Sequence, residues 1–176
     1  ICKELRKEGA SVILADSGTS IDGKGSEPGL ASDAAEVIGA VPFSDKLDGD
    51  SAKHLVDLAI KNFGSIDIVV NNAAIIRDAF IFKSGTEDFK KVLETNLVVP
   101  HAVLIESTKY MRDQAKKGRA PGRIVNMVSS AGLIGNYGQS AYAASKGGLF
   151  GISRVVALDM ARSGVFCNAV APFAAT

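Results

Sequence analysis

The sequence predicts a doubly wound α/β fold, a parallel sheet covered by helices on both sides. Five short Val/Ile-rich runs alternate with longer segments of helical period. The runs are apolar at successive positions, the pattern of strands covered on both faces. Gly9, Gly64, Gly118 and Gly164 each stand just past a helical segment, where a left-handed cap ends the helix without steric cost.

In chain order, a helix over 1–8 leads to the first strand, SVILAD at 11–16. The stretch SGTSIDGKGSEPGL, 17–30, is rich in Gly and Ser and reads as a mobile loop. A helix over 31–38, the strand AVPFSD at 40–45, a helix over 51–63 and the strand IDIVVNNAA at 66–74 follow. A long helix over 86–115 precedes RIVNMVSS at 123–130, and a helix over 139–162 precedes VFCNAVAP at 165–172. At 176 residues the chain can bury one sizeable core, so residues 1–176 are expected to form a single domain.

Twenty Lys and Arg nearly cancel 19 Asp and Glu, leaving a formal charge of +1 and no electrostatic footprint for nucleic acid or an anionic membrane. The expected partner is a small molecule. Cys2, Cys167, His54 and His101 show no ligand spacing, so no metal and no disulfide are expected. No apolar run approaches the roughly 20 residues that span a bilayer, and ICKELRKEGA is a charged helix unlike a signal peptide. The default compartment is the cytoplasm; a peroxisomal address, which would sit at a C-terminus beyond residue 176, stays open.

The chemistry concentrates in SAYAASK, where Tyr142 and Lys146 are four residues apart on a helical segment and so share a face. A phenol titrates near pH ~10, and a neighbouring ammonium favours its phenolate. Bringing it to neutrality takes about 4 kcal/mol, which a desolvated lysine and a cationic cofactor ring together can supply. Tyr142 would then serve as a general acid/base. Ser129, thirteen residues earlier at a strand end, is placed to bond a substrate oxygen.

NNAA at 71–74, ETN at 94–96, the Ser129 to Tyr142 spacing, YAASK at 142–146 and NAVAP at 168–172 resemble the short-chain dehydrogenase/reductase family over nearly the whole chain. The resemblance implies a Rossmann-type fold, a nicotinamide cofactor and a catalytic tetrad of Asn96, Ser129, Tyr142 and Lys146. It implies substrate contacts from Ser129 and Tyr142. Lys146 would also bind the nicotinamide ribose, and Thr176, past Pro172, would reach the carboxamide. Asn72 and Ala73 would line the ribose and nicotinamide side, and Asp45 the adenine ring. Two departures stand out: Ala74 replaces the usual glycine, and no glycine-rich pyrophosphate turn is present. Residues 1–176 are accordingly expected to be a dinucleotide-binding and catalytic domain truncated at both ends, without the first strand, its glycine-rich loop and the C-terminal substrate lid.

Pro100 cannot donate to the Asn96 carbonyl four residues back. A kinked helix and a free carbonyl are therefore expected there, with a water linking that carbonyl to Lys146. Asp16, ending SVILAD, would accept from adenosine ribose hydroxyls and repel a 2′-phosphate, so NAD is expected over NADP; the competing reading is that Asp16 caps the following turn.

Asp16, the insertion containing DGKGS and the gap of four from Pro172 to Thr176 resemble the (3R)-hydroxyacyl-CoA dehydrogenase units of multifunctional β-oxidation enzymes. NNAAIIRD and GNYGQSAYAASKGG are also similar to β-ketoacyl carrier-protein reductases, which would imply NADPH and reduction. A non-catalytic, cofactor-sensing module is the alternative from another class. The resemblance further implies a homodimer or homotetramer built on the two long helices.

Overall fold

The structure, a computed structural model, describes residues 1–27 and 29–172. Helix α1 (Cys2–Lys7) leads into strand β1 (Ile13–Ala15), and α2 (Leu30–Ile38) into β2 (Val41–Phe43). Arg6 ties the first unit together, donating to the Ile38 carbonyl at 3.1 Å and the Ala10 carbonyl at 2.7 Å. Strands β1 and β2 pair in parallel, with Ile13 opposite Val41.

Helix α3 (Ser51–Phe63) precedes β3 (Ile68–Asn71), and helices α4 (Thr86–Leu93) and α5 (Val99–Lys116) precede β4 (Arg123–Met127). A short α6 (Ala131–Ile134), the long α7 (Ser140–Asp159) and β5 (Phe166–Val170) complete the order. Strands β3, β4 and β5 form one parallel sheet with β4 central. Its core joins Val103, Leu104 and Met111 of α5 to Ile124 of β4, Met160, Val165 and Cys167. Burying each of these large side chains stabilises the fold by roughly 1.5–3 kcal/mol.

The expected parallel α/β architecture is therefore present, yet the sheet is not continuous. Among the described residues, β1 pairs only with β2 and β3 only with β4, so each keeps one edge unpaired. A cavity of about 930 Å³ lies between them, walled by Leu14, Val56, Val69, Val70 and Val103 and rimmed by Asp16, Asn72 and Ala73. Nor are the strands covered throughout: Ile68, Phe166 and Val170 are 47, 58 and 43% exposed. These residues lie on strands bordering the cavity or the sheet margin, where neighbours on one side are missing.

Two further stretches bear on the site. The described residues of the 17–30 segment make hydrogen bonds within it and to the chain after β3. Glu27 N–H donates to the Gly18 carbonyl at 2.8 Å, and Ser20 N–H to that of Lys24 at 3.0 Å. The segment also packs on the chain after β3, where Ile76 N–H reaches the Ile21 carbonyl at 2.8 Å and Arg77 the Asp22 carbonyl at 2.7 Å. A Cβ on Gly23 would come within 2.8 Å of Ile75 Cδ1, and its φ of +72° already excludes most residues. The helix expected over 86–115 is broken by a π-turn at Glu94–Val98, in which Val99 N–H bonds the Glu94 carbonyl. Pro100 cannot close the ordinary bond to Asn96, and the wider turn absorbs the lost donor, in line with the irregularity expected there.

Candidate active site

Each candidate residue within the described chain and outside a helix follows the C-terminal end of its own strand: Asp16 after β1, Asp45 after β2, Asn72 and Ala73 after β3, Ser129 after β4 and Pro172 after β5. That is where ligands enter open α/β sheets. Asp16, Asp45, Asn72, Ala73 and Pro172 are partly or largely open to solvent, as ligand-contacting groups must be. Thr176 lies outside the described residues.

Asp16 caps its turn, its Oδ1 accepting from Gly18 N–H at 2.8 Å. This uses one carboxylate oxygen, so the capping reading and a ribose contact through the other oxygen are compatible.

Tyr142 and Lys146 share a face of α7, with the Lys146 Nζ 5.6 Å from the centre of the Tyr142 ring. Lys146 is 2% exposed and donates to the Met127 carbonyl at 2.7 Å. Burial brings its pKa down from 10.5 to about 8, because a low-dielectric surrounding disfavours the ammonium. Tyr142 runs opposite to the expected direction. Burial pushes the phenol up and the Asp78 carboxylate adds to the rise, while the Ser129 hydroxyl facing it pulls the other way. The lowering expected from Lys146 is absent in the chain alone: burial sets the direction, and Lys146 is not among the groups that displace the phenol.

Ser129 sits in the turn between β4 and α6. Its Oγ accepts from Ala131 N–H at 3.2 Å, which leaves the hydroxyl proton to be donated to the Tyr142 phenol or to a substrate oxygen beside it. The turn lies hard against α7: a Cβ on Gly132 would stand 2.5 Å from the Gly147 nitrogen and 2.7 Å from the Lys146 carbonyl carbon. Two glycines let the serine-bearing turn and the lysine-bearing helix touch backbone to backbone.

Asn96 is fully buried and reaches the site through its side chain. Its Oδ1 accepts from Ile75 N–H at 2.8 Å, and its Nδ2 donates to the Ile75 carbonyl at 2.9 Å and to Ser145 Oγ at 3.2 Å. Ser145 in turn donates to the Tyr142 carbonyl at 2.8 Å. The four tetrad residues are therefore connected, three around the phenol and Asn96 through Ser145. Sequence reasoning missed Ser145, Met127 and Asp78. Ser145 was accessible from its position three residues after Tyr142, whereas the Met127 carbonyl carries no side-chain signal.

Below the site, Asn126 links the strands, accepting from Asn71 at 2.7 Å and donating to Ser153 at 2.8 Å and to the Cys167 sulfur at 3.6 Å. No buried side-chain polar atom among the described residues lacks a partner.

Fold and site together define a parallel α/β protein with a tyrosine, a lysine and a serine gathered over the end of its central strand. The sequence model of the short chain dehydrogenase family matches residues 1–175, and the chain belongs to this family of nicotinamide-dependent oxidoreductases. It is 34% identical to a short-chain type dehydrogenase/reductase of Mycobacterium tuberculosis, covering 98% of this chain and 60% of that protein. It is 33% identical to the peroxisomal hydratase-dehydrogenase-epimerase of Saccharomyces cerevisiae, over 94% of this chain and 18% of that one. Identity to a 3-oxoacyl-acyl-carrier-protein reductase of Thermotoga maritima is 36%, over 94% of this chain and 64% of that one. A short chain dehydrogenase crystal structure from Mycobacterium avium superposes with a TM-score of 0.87 at 36% identity, covering 97% of this chain and 62% of that one. The chain thus spans 60% of the Mycobacterium tuberculosis relative's length.

Proposed function

We propose that this chain is the core of an enzyme transferring hydride between NAD and a secondary alcohol or ketone, with a 3-hydroxyacyl thioester as substrate. The observation carrying this reading is the convergence of Ser129 and Lys146 on the Tyr142 phenol at the end of β4. The available groups fit a dinucleotide: Asp16 has an uncommitted carboxylate oxygen, Asn72 and Ala73 lie open after β3, and Lys146 has donors beyond the one used by Met127. When bound, the nicotinamide ring would supply the hydride acceptor or donor.

The chain's own residues would handle the proton and the oxygen. Ser129, already accepting from Ala131, donates its hydroxyl proton to the substrate oxygen. Tyr142 donates a proton to that oxygen in reduction and removes it in oxidation. Lys146 binds the ribose and stabilises the phenolate during oxidation. Asp16 favours NAD by opposing a 2′-phosphate.

The runner-up is an NADPH-dependent β-ketoacyl carrier-protein reductase, favoured by the likeness to the Thermotoga maritima enzyme. A non-catalytic cofactor-sensing module is the reading from another class. Turnover by the full-length protein with a (3R)-hydroxyacyl-CoA and NAD or NADP, with Tyr142→Phe as control, separates the three. NAD-linked oxidation falling about 10²-fold or more in the variant supports the proposal. NADPH-only reduction promotes the runner-up, and binding without turnover promotes the sensing module.

The same reading makes the enzyme a homodimer or homotetramer through α5 and α7, where Ile105, Val155 and Leu158 are exposed apolar residues. Its compartment is proposed as cytoplasmic, with the peroxisome as the competing location suggested by the yeast relative's name. No helix among the described residues is long and apolar enough to cross a membrane.

A further inference from the structure

A buried hydroxyl stands between the two halves of the site. The loop after β3 carries Asn72 and Ala73 at the cavity rim and then Ile75, while α7 carries Tyr142 and Lys146. Ser145, immediately before Lys146, is fully buried. Its Oγ donates to the Tyr142 carbonyl at 2.8 Å and accepts from Asn96 Nδ2 at 3.2 Å. The remaining Asn96 bonds go to Ile75, at 2.8 Å from its N–H and 2.9 Å to its carbonyl.

The Asn96 side chain is thereby committed. Its amide protons serve the Ile75 carbonyl and Ser145, and its oxygen serves the Ile75 N–H. Its hydrogen-bonded route to the helix bearing Tyr142 and Lys146 runs through the Ser145 hydroxyl. Beside that route, Ile75 and Val92 cluster with Ala141 of α7. Apolar contact with a methyl group is non-directional, whereas the Asn96–Ser145 bond fixes both a distance and a direction.

We propose that Ser145 is a positioning residue: through Asn96 it ties the helix bearing Tyr142 and Lys146 to the loop bearing Asn72 and Ala73. Hydride and proton are exchanged at adjacent atoms of one substrate, the carbon facing the cofactor and the oxygen facing Tyr142. The spacing of the two elements therefore bears directly on the rate. This inference rests on the acid/base reading of Tyr142.

The control is Ser107, also fully buried, whose hydroxyl bonds the Val103 and Leu104 carbonyls of its own helix α5. Two quantities are measured on the full-length protein: the single-turnover rate of NAD-linked oxidation of a (3R)-hydroxyacyl-CoA, and native-state exchange of the Ile75 amide. Ser145→Ala should slow the chemical step about tenfold at saturating substrate, with NAD affinity unchanged. It should also speed exchange of the Ile75 N–H relative to β4 amides, because Asn96 loses one of its anchors. Ser145→Thr, whose hydroxyl can bond a carbonyl one turn back, should restore both. Ser145→Cys keeps the volume and a weak S–H donor, and should fall between serine and alanine if the extra methyl group of threonine is not accommodated. Ser107→Ala should lose stability and change neither quantity. A parental rate or unaltered Ile75 exchange in Ser145→Ala, or an equal slowing in Ser107→Ala, would overturn the proposal. Turnover retained in Tyr142→Phe would instead refute the acid/base reading, and the Ile75 exchange would still report the tie.

Discussion

The Asn96 side chain and the Ile75 backbone hold each other by two hydrogen bonds, one in each direction, at 2.8 and 2.9 Å. This arrangement satisfies both backbone polar groups of a residue beyond the end of β3, where the strand ladder has stopped, from a π-turn in the adjoining helix. Asn96 thereby joins the loop after β3 to α7 through Ser145.

Asn96→Ala should strip both partners from Ile75 in a dry setting. A loss of about 2–4 kcal/mol of unfolding free energy is expected, from unpaired buried groups and a small cavity. Asn96→Asp keeps the acceptor for Ile75 N–H but opposes the carbonyl with an anion, so it should rescue little. Urea denaturation of the two variants checks this; a loss under about 1 kcal/mol in Asn96→Ala would mean that the clamp is redundant.

Lys146 gives stability a particular pH dependence. Its folded pKa, about 8, lies below its ordinary 10.5, so the unfolded chain binds the proton more tightly. The cost of burying the charge is fully present below about pH 8, and is relieved as pH rises towards about 10.5. Relative to Lys146→Met, the parent protein should gain up to about 3 kcal/mol across that window, at about 1.4 kcal/mol per unit. Parallel stability curves for the two proteins between about pH 7 and pH 10 would contradict it.

Gly132→Ala places a methyl group where the Gly147 nitrogen now stands 2.5 Å away. The Ser129 turn must lift from α7, with an expected loss of about 1–3 kcal/mol in stability and on the order of tenfold in kcat. If the kinetic loss acts through Ser129, then Gly132→Ala should cost little further turnover once Ser129 is already alanine. Full additivity in that double variant would point to a general packing defect.

Much of the architecture was legible because strand and helix periods are local properties. The helix at Ser51–Phe63 matches its expected bounds, and every expected strand run contains its observed strand. The shared face of Tyr142 and Lys146 could be read from spacing since they are a helix pair, whereas Asn96 entered only through the family resemblance. The direction of the Tyr142 displacement could not, for it depends on burial and on Asp78, 64 residues away in sequence and brought close only by the fold. The contacts of the 17–30 segment were not legible for a related reason. Gly and Ser mark the absence of regular structure, while the bonds from Ile76 and Arg77 that hold this segment come from far along the chain.

Those bonds have an evolutionary corollary. Ile76 is gripped by the inserted segment and its neighbour Ile75 by Asn96, so the insertion and residues 75–77 are mechanically one piece. A relative with a shorter connection after its first visible strand would need a different partner for Ile76 N–H and a different anchor for Arg77. The two stretches should therefore be inherited, and transplanted between enzymes, as a unit.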